Sequence, residues 1–288
     1  MSHVSGRLPD FVIAGEMKTG TTSLAFYLDA HPEVYVSPTR PVRFFDERFD
    51  RGLDWYRMQF ASAPAGAVVG DDTPNYLFDD QALARLAGTL PSARVIVFLR
   101  DPVYRAWSHY WHHVRSGFER RDFAEAVHHE LAHGVGRLGS PEGSGYVGRG
   151  RYLQRIRRLL EHVPREAVFL GFNEELRDDR ATTFGAVCRF LGVDDRVVPA
   201  NVGVVYNVGW APRWTKLTTT MFRLHVWARL PPAASRWLAA RTNHYVAELG
   251  VPDDVAAELV DHYDEHNLAL AEFLGRPLPG WRRLLDPA

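Results

Sequence analysis

The sequence predicts an α/β fold: a P-loop-like, doubly wound parallel sheet flanked by helices, with a helical C-terminal elaboration. Three observations predict it. Apolar runs of strand length stand at 11–14, 66–69 and 94–99; each ends in turn chemistry, and apolar residues then recur at helical spacing. Successive strand-to-helix units require crossover connections, and hence a parallel sheet. From about residue 210 the alternation gives way to helices alone, with Trp210, Trp214, Phe222, Trp227 and Trp237 among arginines and a double proline at 231 and 232. Residues 10–205 therefore read as an α/β core and 206–288 as the helical part of the same single domain.

The first strand, Phe11-Val-Ile-Ala14, enters Gly15-Glu16-Met-Lys18-Thr19-Gly20-Thr21-Thr22, and a helix follows with Leu24, Ala25, Phe26 and Leu28. Glycines 15 and 20 let the backbone curl so that N–H groups converge, and the helix N-terminus adds its positive end. With the Lys18 charge and the Thr21 and Thr22 hydroxyls, the loop reads as an anion cradle. An ordinary nucleoside-triphosphate loop is disfavoured: that pattern needs lysine directly after the second glycine, where Thr21 stands. Only positions 18 and 216 are lysine, so all but two of the 34 basic residues are arginine. A lysine kept in the loop of such a chain suits a compact point charge rather than a rigid fork.

Further along, Asp29-Ala-His31-Pro32 ends the helix before a short strand reaching Val36, and His31 reads as a cap or packing group rather than a base. The turn Pro38-Thr-Arg40-Pro41 leads to Phe44 and Phe45, two core anchors. The strand at 66–69 runs into Gly70-Asp71-Asp72-Thr73-Pro74, and the strand at 94–99 into Arg100-Asp101-Pro102 and a helix carrying Ser108. Lys18, Asp72 and Arg100 thus fall together at the carboxyl edge of the sheet, where open α/β sheets place ligands. A glycine-rich stretch at 134–150 reads as a cover, and the helix at 152–162 carries a solvated stripe of Arg151, Arg155 and Arg158. A fourth strand at 167–170 precedes an acidic turn, Asn173-Glu-Glu175, and a helix ending at Phe190-Leu-Gly192.

Composition sets bounds. A chain of 288 residues, 46% hydrophobic and 24% charged, buries one good core. Its net charge of -1 argues against nucleic-acid and membrane partners. A lone Cys188 and the lack of an apolar leader give the expectation of a cytoplasmic protein. Oligomeric state leaves no mark.

The string Lys18-Thr-Gly-Thr-Thr22 resembles the 5′-phosphosulfate loop of sulfotransferases that use 3′-phosphoadenylyl sulfate. Arg100 with Ser108 eight positions on matches the pair that binds the cofactor's 3′-phosphate in those enzymes. The resemblance extends to Asp72-Thr-Pro-Asn-Tyr76, the Tyr152 helix, Glu175-Leu176, Phe190-Leu-Gly192, and His262-Tyr-Asp-Glu-His-Asn267 with Leu274-Gly-Arg-Pro-Leu-Pro-Gly-Trp281. From about 10 to 281 the chain looks like the heparan-sulfate-type sulfotransferase family and its bacterial relatives. That likeness implies sulfuryl transfer from 3′-phosphoadenylyl sulfate, leaving adenosine 3′,5′-bisphosphate, to a hydroxyl or less readily an amine of a small-molecule or glycan acceptor, in line and without a metal. It implies cofactor contacts from Lys18, Thr19, Gly20, Thr21, Thr22, Arg100, Ser108 and Tyr152, with Asn207 and Gly209 in a second 3′-phosphate loop.

The chain departs from that pattern twice. Pro41 stands where relatives acting on sugars place a glutamate base, and Asp72 where they often place a lysine. Losing one acid and gaining another makes Asp72, or its neighbour Asp71, the candidate proton acceptor, with Glu16 next, on equal terms with a reading in which the two aspartates only cap a turn. Other readings stand beside this one. A kinase would use Asp71 or Asp72 to hold magnesium, and a binding module would keep the fold without turnover. The run His129-Glu130-Leu-Ala-His133 satisfies a zinc-hydrolase pattern, but it lacks a third ligand at Gly139 and leaves the loop at 18 unexplained.

Overall fold

A computed structural model describes residues 6–135, 145–206, 210–212, 243–245 and 249–281. Contacts divide the chain into two compact units, Met1–Arg100 with Tyr152–Asn207, and Asp101–Arg151 with Val208–Ala288.

The first unit is built on a five-stranded parallel sheet. It contains β1 (Phe11–Gly15), α1 (Thr21–Asp29), β2 (Val34–Val36), α2 (Phe44–Glu47), α3 (Gly52–Met58), β3 (Val68–Asp72), α4 (Asp80–Thr89) and β4 (Arg94–Leu99). The strand order is β2-β3-β1-β4, with β5 (Val168–Phe172) at the far edge. Every residue of β1 is buried, as expected of a parallel strand covered on both faces. The chain winds outward from β1 to β2, returns through β3, and crosses to β4 on the other side of β1. The loops after β1 and β4 therefore flank the point where the winding reverses.

One face of this sheet packs Ile13, Val36, Ile96 and Phe98 against Leu24 and Leu28 of α1 and Phe184 and Val187 of a later helix. The opposite side carries an aromatic group in which the Phe44 and Tyr56 rings stack with centroids 4.3 Å apart.

The second unit holds α5 (Pro102–Arg115) and α6 (Phe123–His133). Both start as their sequences direct: Asp101 caps Val103 N and Tyr104 N with proline in the first turn of α5, and Asp122 with Glu125 makes a capping box for α6. The first unit continues with α7 (Tyr152–Leu160), α8 (Asn173–Asp178) and α9 (Arg180–Leu191), which ends on left-handed Gly192. The second unit adds strands β6 (Trp210–Pro212) and β7 (Asn243–Tyr245) and helix α10 (Asp253–Leu274). Its core joins Val103, Trp107, Phe123, Val127, Leu259 and Tyr263.

Three expectations are corrected. β3 runs through Asp71 and Asp72 rather than stopping before them, because hydroxyl donors satisfy the first carboxylate inside the sheet. Beyond 210 the chain is not helices alone, since β6 and β7 pair antiparallel over three residues, too short a run to stand out in the sequence. Arg155 is not a solvated stripe residue. Its guanidinium lies 4.5 Å over the Phe78 ring and meets Asp80 at 3.3 Å.

Candidate functional site

The loop between β1 and α1 is built from backbone commitments. Lys18 and Gly20 adopt left-handed φ values of 71° and 90°. Such a conformation costs a non-glycine residue about 1 kcal/mol, so the lysine is held there by its surroundings. The Thr19 hydroxyl, expected to face the anion, instead donates to Glu16 O at 2.6 Å and closes the loop on itself. Asn173 Nδ2, at the start of α8, donates to Thr19 O at 3.1 Å. A β-carbon on Gly20 would lie 2.6 Å from that same nitrogen, so a side chain there would displace the Asn173 amide from Thr19 O, and the positive φ favours glycine. Helix α1 has no side-chain cap. The N–H groups of its first turn point where an anion would sit, with Thr21 buried and Thr22 half-buried beside them.

Arg100 joins this loop directly. Leaving the end of β4, its Nη1 donates to Lys18 O at 3.3 Å. The Tyr152 hydroxyl donates to Arg100 O at 2.7 Å from a buried ring, which makes Tyr152 a support for the arginine's backbone. The lysine and the arginine named from sequence are thus neighbours on one sheet edge. Arg100→Ala is expected to weaken binding of adenosine 3′,5′-bisphosphate about tenfold or more, as read by titration calorimetry. Unchanged affinity would remove Arg100 from the site. Ser108 lies half-buried on α5, in the second unit. Asn207 and Gly209 fall outside the described residues.

The two acids at the end of β3 point to opposite faces of the sheet, as successive strand residues must. Asp71 is a hub of the interior. Its Oδ2 accepts from Tyr56 OH at 2.9 Å and Tyr76 OH at 3.1 Å, and its Oδ1 from Thr73 Oγ1 at 2.7 Å. Tyr76 OH in turn accepts from Phe44 N at 2.8 Å, so Asp71 holds the turn that carries the aromatic pair. Burial raises its pKa to about 6 against the pull of those hydroxyls. Asp71→Ala leaves three buried hydroxyls without their acceptor and should cost about 2–3 kcal/mol of stability. The loss should be greatest below about pH 4 and shrink as pH rises through about 6. A carboxyl whose folded pKa is raised contributes fully below its unfolded value of 3.8 and loses that contribution as pH rises through about 6. Denaturant midpoints at acid and mildly alkaline pH check both points; a loss that grows with pH would contradict this role.

Asp72 is different. It pairs in register with Ile13 and so lies on the face covered by α1. It is 4% exposed, and its Oδ1 has no hydrogen-bond partner among the described residues. Burial, then the charge of Asp71, raises its pKa to about 7, opposed by Arg40. Glu16 is fully buried and accepts from Met17 N at 2.7 Å, turning its carboxylate back on its own loop. Pro41 is exposed and brings no acid. His31 is a packing group, its Nε2 2.9 Å from Asp194 O. In α6, Glu130 accepts from Val147 N and Gly148 N, so the acid of the zinc-like run anchors a loop. No three His, Cys, Asp or Glu side chains among the described residues form a metal-holding group.

Sequence reasoning missed three residues. Asn173 was read as part of an acidic turn, although an amide directly after a strand at the carboxyl edge was a signal. Arg40 and Tyr56 had none, since only the fold brings Tyr56 OH onto Asp71 and Arg40 into the field of Asp72.

The sequence model of the sulfotransferase domain family matches residues 8–202. The chain belongs to the sulfotransferase domain family. Members of that family draw their sulfuryl group from 3′-phosphoadenylyl sulfate. Human bifunctional heparan sulfate N-deacetylase/N-sulfotransferase 3 is 28% identical over 96% of this chain and 31% of its own length. Mouse heparan sulfate glucosamine 3-O-sulfotransferase 6 is 32% identical over 65% of this chain and 53% of its own length. The chain therefore spans about a third to a half of these relatives. The crystal structure of a sulfotransferase from Alicyclobacillus acidocaldarius aligns with a TM-score of 0.72 at 25% identity, covering 96% of this sulfotransferase domain and all of that chain. Among the described residues no helix is long and apolar enough to cross a membrane.

Proposed function

We propose that this domain transfers a sulfuryl group from 3′-phosphoadenylyl sulfate to a hydroxyl, or less readily an amine, of a small-molecule or glycan acceptor. The observation that carries the reading is the contact between Arg100 and the Lys18 carbonyl beside an uncapped helix N-terminus. The residues present fit the donor: left-handed Lys18 and Gly20, the open first turn of α1 and a neighbouring guanidinium supply several donors and two positive charges to one region. When bound, the donor supplies a sulfuryl group whose bond to the 5′-phosphate breaks with the electron pair leaving on that phosphate.

The residues of the chain have distinct tasks. Lys18 and the N–H groups of the α1 N-terminus balance charge that grows on the leaving phosphate. Arg100 fixes the other phosphate, so that the nucleotide is held at both ends and in line. Asp72, buried and with one oxygen unclaimed, takes the acceptor's proton, whereas the oxygens of Asp71 are already engaged by hydroxyls. The heparan sulfate named for the relatives favours a sugar-like acceptor, and the net charge of -1 favours a compact one over a long polyanion.

The decisive experiment incubates the purified chain with sulfur-labelled donor and a panel of phenols, alcohols, amines and unsulfated sugars. Acceptor-dependent labelled product together with adenosine 3′,5′-bisphosphate is the expected result. Bisphosphate release without labelled product would point instead to a cofactor-binding module.

A further inference from the structure

We infer that Arg40 and Asp72 together read the acceptor as an uncharged hydroxyl: the carboxylate takes its O–H and the guanidinium donates to its lone pair, so ammonium and anionic acceptors are both rejected. This inference rests on the sulfuryl-transfer reading above and sharpens it.

Arg40 leaves β2 through the turn at Pro38 and is held on two sides. Its Nη2 donates to Asp29 Oδ2 at 3.0 Å, and its guanidinium carbon lies 4.4 Å over the Phe26 ring of α1. These anchors leave Nη1 buried with no partner among the described residues. Asp72 Oδ1 is buried and unpartnered in the same unit. Ser37 N donates to Gly70 O at 3.1 Å and Val42 N to Thr73 Oγ1 at 3.1 Å, so the turn carrying Arg40 lies against the end of β3 that carries Asp72, yet the two side chains do not come within the 4.0 Å of an ion pair. A buried donor or acceptor left unsatisfied costs about 1–3 kcal/mol, and here one of each stands without satisfying the other.

The missing partner must therefore both donate and accept. A hydroxyl does both with a single oxygen. An ammonium has donors only: it would meet Asp72 but face the like charge of Arg40 and leave Nη1 unmet. A carboxylate or sulfate accepts only, so it would meet Arg40 and be repelled by Asp72. The same placement sets up the chemistry, because the oxygen whose proton lies on Asp72 is the one whose lone pair must reach the sulfur.

The test uses the intact chain saturated with adenosine 3′,5′-bisphosphate and two matched probe series near pH 8, read by ligand-observed NMR competition. One series is benzyl alcohol, benzylamine and benzoate; the other is methyl glucoside, methyl glucosaminide and methyl glucuronide. The alcohol of at least one series should bind about tenfold tighter than either charged partner, and which series responds separates an aromatic from a sugar acceptor. Arg40→Met should invert the order of alcohol and amine, and Asp72→Asn the order of alcohol and carboxylate. Bisphosphate affinity, measured first, confirms that each variant is folded. Equal affinities within about threefold in the unaltered protein, or an order unchanged in both variants, overturns the inference while sulfuryl transfer stands. Absence of bisphosphate binding by the unaltered protein overturns the transfer reading itself, and this inference with it.

Discussion

Lys18→Ala should lower turnover by about two to three orders of magnitude while leaving the fold intact, as expected for loss of a charge donor aimed at a developing anion. The loop has ties that do not pass through the lysine ammonium. Its carbonyl receives Arg100, the next carbonyl receives Asn173, and the Thr19 hydroxyl ties back to Glu16, all through atoms that alanine retains or that lie elsewhere. Alanine carries the same left-handed penalty as lysine, so the change in stability should stay below about 1 kcal/mol. Lys18→Arg should recover little activity, since a planar fork cannot occupy the space of a compact ammonium in a turn this tight. Single-turnover rates at saturating donor separate this effect from binding, which should fall far less. A turnover within tenfold of the unaltered protein would show that the helix N-terminus and Arg100 stabilise the leaving group without the lysine.

The parts of this site that were legible in the sequence are those governed by local backbone physics. β4 occupies the span its apolar run indicates, and β1 extends one residue beyond its run. Strands buried on both faces must be written as continuous hydrophobic residues, and their ends at the carboxyl edge then locate Lys18 and Arg100. The end of β3 was not legible, because an aspartate in a buried strand is tolerable only when hydroxyls distant in sequence reach it. Tyr56 lies 15 positions before Asp71, and nothing local marks it as a donor. Arg40 illustrates the same limit from the other side. In sequence it is one arginine among many beside a proline, and only the placement of β2 next to β3 brings it into the field of Asp72. Thr19 shows that the residue types of a loop can be read correctly while the atoms that face the ligand are not, since its hydroxyl serves the turn. Position and charge of the donor cradle follow from strand and turn patterns; the acceptor side depends on tertiary pairing.

Asp72→Asn should lower turnover by about two orders of magnitude, the usual contribution of a positioned base, and should also remove the acid limb of the pH–rate profile. The sign follows from the groups around the carboxylate. Burial is the largest influence and disfavours the charged form, Asp71 adds like-charge repulsion, and Arg40 opposes both, leaving a pKa of about 7. Only the ionised form accepts a proton, so the rate should climb as pH rises through about 7 and level off above it. An ordinary exposed carboxylate, with its pKa near 3.8, would show no such limb in this range. Two neighbouring substitutions give the assignment its specificity. Arg40→Met removes the one attraction and should move the limb to higher pH. Asp71→Asn removes the repulsion and should move it lower, while a limb belonging to Asp71 itself would vanish. If the Asp72→Asn protein keeps both its rate and its limb, the proton is taken elsewhere, and the buried, unpartnered oxygen of Asp72 would then serve only to orient the acceptor.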